Sequence, residues 1–244
     1  MRRFYHSSSL KLNTTTPLDD FAARHLAQVL RAKVGDRIIL FNGDGFDYEA
    51  QIKHVDRRDV SVEILNQSAN PNESKIRIHL FQALSSNEKM DLVVQKAVEL
   101  GVQAITPIIA SRSQMRLKDE KRDKKLQHWQ QIAISACEQS GRAVIPEIYP
   151  VSLLTESMNQ IDDAALNIML DPEAKTQINQ LASMDTPSHI NVLIGPEGGF
   201  SEDEIQLCQS KKIITLSLGP RILRTETAPI ATLALLQYLF GDFV

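Results

Sequence analysis

Between residues 76 and 218, short aliphatic runs (Ile76 to Leu84, Ala104 to Ile109, Ala165 to Leu170, Ile190 to Ile194 and Ile213 to Leu218) alternate with stretches whose apolar residues recur at helical spacing. Strands buried on both faces read as continuous apolar runs, and consecutive parallel strands need a crossover, usually a helix. The alternation therefore predicts an α/β domain with a mainly parallel sheet. In one intervening stretch Met90, Val93, Val94, Ala97 and Val98 form an apolar stripe, with Lys89, Lys96 and Glu99 elsewhere on the surface and a stop at Gly101. A longer helix buries Leu126, Trp129, Ala133, Ala136 and Cys137. The segment Ala228 to Phe240 is apolar over more than one face, which predicts burial by the sheet or by a second subunit.

Upstream the pattern differs. Asp36 to Phe41, Phe46 to Ile52 and Asp59 to Leu65 read as short strands, the last alternating almost strictly, with the turn Asn42-Gly43-Asp44-Gly45 between the first two. One helical patch, about Asp19 to Ala32, carries Phe21, Leu26, Val29 and Leu30 at helical spacing. A small β-barrel is expected here. The polar stretch Asn66 to Ser74 reads as a linker, so two domains are expected, at 1–70 and 75–244.

Composition narrows the class. Hydrophobic residues make up 43% of the 244 and charged residues 23%, near the globular averages. Two cysteines, Cys137 and Cys208, cannot build a disulfide framework, and the six histidines show no ligand spacing; no metal is expected. Met1-Arg2-Arg3-Phe4-Tyr5-His6-Ser7 is followed by no apolar stretch, and no run reaches the ~20 residues of a membrane span, so a cytoplasmic protein is expected. The net charge of -3 hides an asymmetry: +1 over residues 1–70, +3 over 71–150 and -7 over 151–244. Within 112–125, Arg112, Arg116, Lys118, Lys121, Arg122, Lys124 and Lys125 face three acidic residues. Such a stripe suits phosphates of a nucleic acid, or equally a solvated helix face.

Two loops carry the chemistry. Ile190 to Ile194 runs into Gly195-Pro196-Glu197-Gly198-Gly199-Phe200, and Ser201 with Glu204 then forms a capping box that opens a helix. This places the loop at the carboxyl edge of the sheet, where α/β folds bind ligands. A phosphate site wants free backbone N–H groups and usually a lysine, whereas Glu197, Glu202, Asp203 and Glu204 surround this turn and no lysine follows. The expected ligand is uncharged or cationic, needs close backbone approach, and fits an adenosine that carries a sulfonium instead of phosphates. The other reading is a tight turn without ligand. Ile213 to Leu218 leads similarly into Gly219-Pro220-Arg221-Ile222-Leu223-Arg224-Thr225-Glu226-Thr227-Ala228-Pro229, and Leu170-Asp171-Pro172 ends a third strand, which suggests one shared pocket. Structural pairing of Arg224 with Glu226 or Glu197 is the alternative use of those charges.

The glycine loop, the segment Leu218 to Ala228 and Leu170-Asp171-Pro172 resemble the signature loops of the SPOUT methyltransferases, specifically the RsmE-type 16S rRNA uridine-N3 methyltransferases. The resemblance spans nearly the whole chain and takes in Met1 to Tyr5, Gln95 to Val102, Ser111-Arg112-Ser113 and Glu138 to Arg142. Ser85-Ser86-Asn87-Glu88-Lys89 departs from it, since the family more often shows a lysine soon after the strand. The resemblance implies an α/β SPOUT domain with a C-terminal trefoil knot, preceded by a PUA-like β-barrel that binds RNA. It implies a homodimer packed through the knotted domain, S-adenosyl-L-methionine as methyl donor with S-adenosylhomocysteine as product, and a decoding-region uridine of 16S rRNA in the assembled small subunit as substrate.

The cofactor is expected against Leu170, Ile194, Gly195, Pro196, Gly198, Gly199, Leu216, Ser217, Leu218, Gly219, Ile222 and Leu223. Arg224 is the expected cation on the uracil, with Glu226 or Glu197 as proton acceptor. Expected RNA contacts are Arg2, Arg3, Arg24, Lys96, Arg112, Arg116, Lys118 and Arg142. The rivals are another SPOUT methylation, at a ribose 2'-oxygen or guanine N1, and a non-catalytic RNA-binding or ribosome-assembly factor. A nucleotide-dependent oxidoreductase fits the acidic loop least.

Overall fold

A computed structural model describes residues 1–57, 59–115 and 119–243. The chain divides into two units. The first comprises Met1–Glu73 with Cys137–Ile145, the second Ser74–Ala136 with Pro146–Val244.

In the first unit β1 (Arg2–Tyr5), β2 (Thr15–Pro17), α1 (Asp20–Arg24), β3 (Arg37–Phe41), β4 (Phe46–Asp56) and β5 (Asp59–Ala69) follow in order. The strands form one sheet in the order β1-β3-β4-β5-β2. Only β1 and β3 run parallel. Alternation along β4 and β5 sends Tyr48, Ala50, Ile52, Val60, Val62 and Ile64 into the core. Asp19 caps α1, its carboxylate accepting from Ala22 N at 2.8 Å, and the helix continues as a π-helical turn, His25–Val29.

Two expectations are corrected here. Among the described residues the sheet is open, with β1 and β2 as unjoined edges, so it is not a closed barrel. β2 is three residues long and ends at a proline, which has no N–H to extend a ladder, and Ala22, Ala23 and Leu26 pack into the core against the strands. The helix also buries only part of the expected stripe, Leu26 with Leu30 packed beside it. Phe21 and Val29 are 69% and 70% exposed, whereas Ala22, Ala23 and Leu26 are buried.

The segment Cys137–Ile145 is tied into this unit by Glu73. Its carboxylate accepts from Arg142 Nη2 at 2.8 Å and from the backbone N of Ala143 and Val144 at 3.0 Å each. Tyr5 N donates to Glu138 at 2.9 Å.

The second unit contains β6 (Arg77–Ala83), α2 (Asn87–Glu99), β7 (Ala104–Ile109), α3 (Asp119–Ser140), β8 (Glu147–Ile148), β9 (Ser152–Leu153), α4 (Leu154–Ser157), β10 (Leu166–Leu170), β11 (His189–Ile194), α5 (Glu202–Ser210), β12 (Ile214–Leu216) and α6 (Thr227–Phe240). The last four residues of α3 group with the first unit. The sheet runs β12-β10-β11-β6-β7-β8, parallel throughout, with β9 also on β7. All five expected strands are present. That at 213–218 shortens to three residues, because beyond Leu216 the chain leaves the ladder for a single bridge between Ser217 and Gln177.

On α2 the buried set is Met90, Val93, Val94, Ala97 and Val98, and the helix gives way to Gly101 at φ +83°. A Cβ there would lie 2.7 Å from Gln237 Nε2 on α6, so close approach as well as the left-handed backbone requires glycine. α6 buries Leu233, Leu236 and Phe240 while exposing Leu235 and Tyr238. Among the described residues no helix is long and apolar enough to cross a membrane.

Candidate functional site

Because β10, β11 and β12 are parallel and contiguous around β10, their carboxyl ends open on the same edge of the sheet. The turns that follow them wall a cleft of about 280 Å³ within the second unit. Of the twelve residues expected to hold a cofactor, eleven line it: Leu170, Ile194, Gly195, Pro196, Gly199, Leu216, Ser217, Leu218, Gly219, Ile222 and Leu223. Gly198 does not. A Cβ at this position would sit 3.2 Å from Arg112 Cβ, and its carbonyl accepts from Arg112 Nη1 at 3.1 Å, so this glycine serves contact with the 110–113 turn.

The walls are fastened to one another by a buried polar chain. Gln82 on β6 donates from Nε2 to Thr225 Oγ1 at 3.2 Å, and Thr225 donates to the Gly195 carbonyl at 2.9 Å. Both side chains are buried, so each hydrogen bond forms away from competing water. Thr225 lies between Arg224 and Glu226 and thereby fixes the backbone that carries both.

The charges differ from the expected ring of carboxylates. Glu202, Asp203 and Glu204 do not line the cleft. Glu204 completes the capping box with Ser201 and also accepts from Ser111 N at 2.7 Å. A lysine is present after all. Lys89, in the first turn of α2, lines the cleft and its Nζ lies 2.9 Å from Glu197 Oε1 and 3.4 Å from Glu226 Oε2. The hydrogen bond to Glu197 holds the Lys89 ammonium above its usual range. Burial pushes the Glu197 carboxyl up, but the hydrogen bond and charge of Lys89 outweigh it and leave that carboxyl below its ordinary value.

Arg224 lines the cleft, is exposed, and has no side-chain hydrogen bond or ion pair among the described residues. The alternative in which Glu226 or Glu197 claims it is therefore not the arrangement found. Glu226, at the N-cap of α6, does not itself line the cleft, and it reaches the cleft's charges through Lys89. Asp171, Arg221 and Thr225 also line the cleft and were not singled out beforehand, although all three sit inside the loops that were.

Among the expected RNA contacts, two are corrected. Arg142 is 2% exposed and paired to Glu73, and Arg3 pairs with Asp47 at 2.7 Å, donates to the Arg142 carbonyl and lies over the Phe41 ring. Both guanidiniums are spent on packing. Arg2, Arg24 and Arg112 are exposed, Arg24 with Asp20 as partner; Lys96 is half-buried against Glu99. Arg116 and Lys118 lie outside the described residues. Both cysteines are buried, and burial pushes each thiol up to about 12, which leaves no nucleophile there. Among the described residues no cluster of three or more His, Cys, Asp or Glu is arranged for a metal ion.

Comparison with known proteins bears on this cleft. The family profile described as RNA methyltransferase domain matches residues 72–237, and that described as RNA methyltransferase PUA domain matches 18–65. The ribosomal RNA small subunit methyltransferase E of Buchnera aphidicola (subsp. Schizaphis graminum) is 37% identical over 243 residues, 98% of this chain and 97% of that one. Its namesake from Bacillus subtilis is 32% identical over 220 residues, 88% and 86% of the two chains. The crystal structure of a ribosomal RNA small subunit methyltransferase E from Neisseria gonorrhoeae, bound to S-adenosyl methionine, superposes with a TM-score of 0.93 at 37% identity and covers 100% of both chains.

Proposed function

Since the chain belongs to the ribosomal RNA small subunit methyltransferase E family, we propose that it transfers the methyl group of S-adenosylmethionine to N3 of one uridine of 16S rRNA in the small ribosomal subunit. The observation that carries this reading is the cleft, whose walls combine the glycines and aliphatic residues of the turns after β10, β11 and β12 with the side chains of Lys89, Glu197 and Arg224.

The residues present fit this cofactor. Gly199 and Gly219 line the cleft at φ +70° and +97°, and a Cβ at either would meet no atom within 4 Å, so both positions leave open space for a ligand held close to the backbone. The volume falls just under the ~300–1,000 Å³ common for small-molecule sites. The capping box occupies N–H groups of the first turn of α5 and sets three carboxylates beside it, which disfavours a pyrophosphate there.

S-adenosylmethionine, when bound, supplies an electrophilic methyl carbon together with its own neutral thioether leaving group. The protein's tasks are alignment and removal of the N3 proton, which lies on the pairing edge of uracil and is reached only in an unpaired or flipped base. Arg224 donates to the uracil carbonyl oxygens and stabilises the negative charge that develops as the N–H bond breaks. The proton passes to a carboxylate, and the electron pair left on N3 forms the new bond to carbon. Glu197 and Glu226 are the two candidates; Glu197 lines the cleft, and Lys89 holds its carboxyl below the ordinary range, which weakens it as an acceptor.

Residues 1–70 serve as the RNA-binding domain and 75–244 as the catalytic one, with Arg2, Arg24, Lys96 and Arg112 among the phosphate contacts. The chain after β12 is threaded as a trefoil knot; the return of Thr225 onto Gly195 before α6 supports that path. The protein works in the cytoplasm as a homodimer through α6. Nucleoside mass spectrometry of 16S rRNA from a deletion strain tests the function: loss of 3-methyluridine, restored by the purified protein with S-adenosylmethionine, is expected, and its persistence refutes the assignment.

A further inference from the structure

Lys89 pairs with two carboxylates, Glu197 and Glu226, whereas among the described residues Arg224 and Arg221, which line the cleft, pair with none. These two facts are connected. Glu226 is two residues from Arg224, at the same junction between the β12 loop and α6, and is the natural counter-ion for a long flexible guanidinium. Its Oε2 is buried, makes no hydrogen bond, and has the Lys89 ammonium at 3.4 Å as its compensating charge. Glu197, which lines the cleft as Arg221, Arg224 and Asp171 do, takes the shorter contact to the same nitrogen, 2.9 Å. One ammonium, delivered from α2, thus pairs with both of these acids.

We propose that Lys89 is a positioning residue, which holds Glu197 and Glu226 as its own counter-ions and so keeps the Arg224 guanidinium free for the substrate. The inference rests on the methyltransferase reading for its catalytic consequence only. The partnering of Arg224 is a property of the protein without ligand. Arg221 also lines the cleft, has no side-chain partner among the described residues, and serves as a reference guanidinium from the same loop.

The test compares wild type with K89M, K89R and the triple variant K89M/E197Q/E226Q, all as full chains checked for folding by thermal melts. Phenylglyoxal modification, mapped to Arg224 and Arg221 by peptide mass spectrometry, reads the free guanidinium directly. Arg224 reactivity is expected to fall at least severalfold in K89M, to stay near wild type in K89R, and to return in the triple variant, while Arg221 is little changed. On small subunits lacking the modification, K89M is expected to lose about tenfold in kcat with KM for subunits and cofactor Kd within threefold of wild type, and K89R to restore most of the loss. Unchanged Arg224 reactivity in K89M overturns the proposal, even if kcat falls, because Lys89 would then act by another route. Unchanged kcat with reduced Arg224 reactivity also overturns the catalytic part. A wild type that modifies no ribosomal RNA defeats the functional reading instead, and the reactivity comparison still decides what Lys89 does.

Discussion

Arg224 lines the cleft and has no side-chain partner among the described residues, whereas Arg3 and Arg142, in the first unit, are paired to acids. Replacing Arg224 with Ala should lower kcat for methyl transfer about a hundredfold and leave cofactor affinity within threefold, by calorimetry alongside single-turnover assays. Retained turnover would remove it from the chemistry. At Gly199 the backbone sits at φ +70°, where an L-residue costs roughly 1–2 kcal/mol. Gly199→Val adds bulk to that strain and should weaken cofactor binding at least tenfold; unchanged affinity would take this turn out of the site. The glycines and Arg224 were legible because strand-turn-helix junctions announce a sheet edge. Lys89 was not. Helical spacing says only that it is off the buried stripe, and which loop its ammonium meets depends on β6 lying beside β11. The opposite error, counting Arg3 and Arg142 as RNA contacts, arose because a lone basic residue looks the same in sequence whether or not a distant acid such as Glu73 claims it.

At the scale of elements, the polar chain from β6 to the turns after β11 and β12 makes a prediction about Thr225. Thr225→Val keeps the shape but leaves Gln82 Nε2 without this acceptor and the Gly195 carbonyl without this donor, which should cost about 1–3 kcal/mol in urea unfolding and weaken the cofactor site. Thr225→Ser should recover most of both. A valine variant as stable and tight-binding as wild type would show that the chain does not hold the turns.

β6 also carries His79, which is buried between Phe81 and Tyr149 with Nε2 2.8 Å from Thr106 Oγ1. Burial, aided by the charge of His189, pushes its pKa down to about 4. The unfolded chain takes up this proton near pH 6.5 and the folded one does not until about pH 4. The stability is therefore present above pH 6.5 and lost as pH falls through that window, up to about 3 kcal/mol in total. Denaturation midpoints between pH 7.5 and 4.5 should fall less steeply in His79→Gln; parallel slopes would contradict the assignment. The parallel strands and α2 were readable from apolar runs and periodicity. β1 and β2 were not, being too short to carry a pattern. On α1, size misled: the small residues Ala22 and Ala23 take the core positions and the larger Phe21 stays out.

For the whole molecule, α6 is the element on which the proposed homodimer is tested. It is apolar over its length, packs on α2 through one side, and leaves Leu235 and Tyr238 exposed, Tyr238 by 62%. In sedimentation the wild type is expected as the proposed dimer and the double variant L235E/Y238E as a monomer at the same concentration. Wild-type protein that is monomeric throughout would rule out this face as an interface. The polar stretch Asn66 to Ser74 was expected to be a linker, but β5 runs on to Ala69, and the grouping of Cys137–Ile145 with the first unit was not legible, since it depends on Glu73 binding a segment about seventy residues downstream.

The order of the strands also has a consequence in time. The cleft draws its walls from three turns that leave the ribosome one after another, and the last, after β12, closes it. A growing chain therefore has no complete cofactor site until that turn has cleared the exit tunnel.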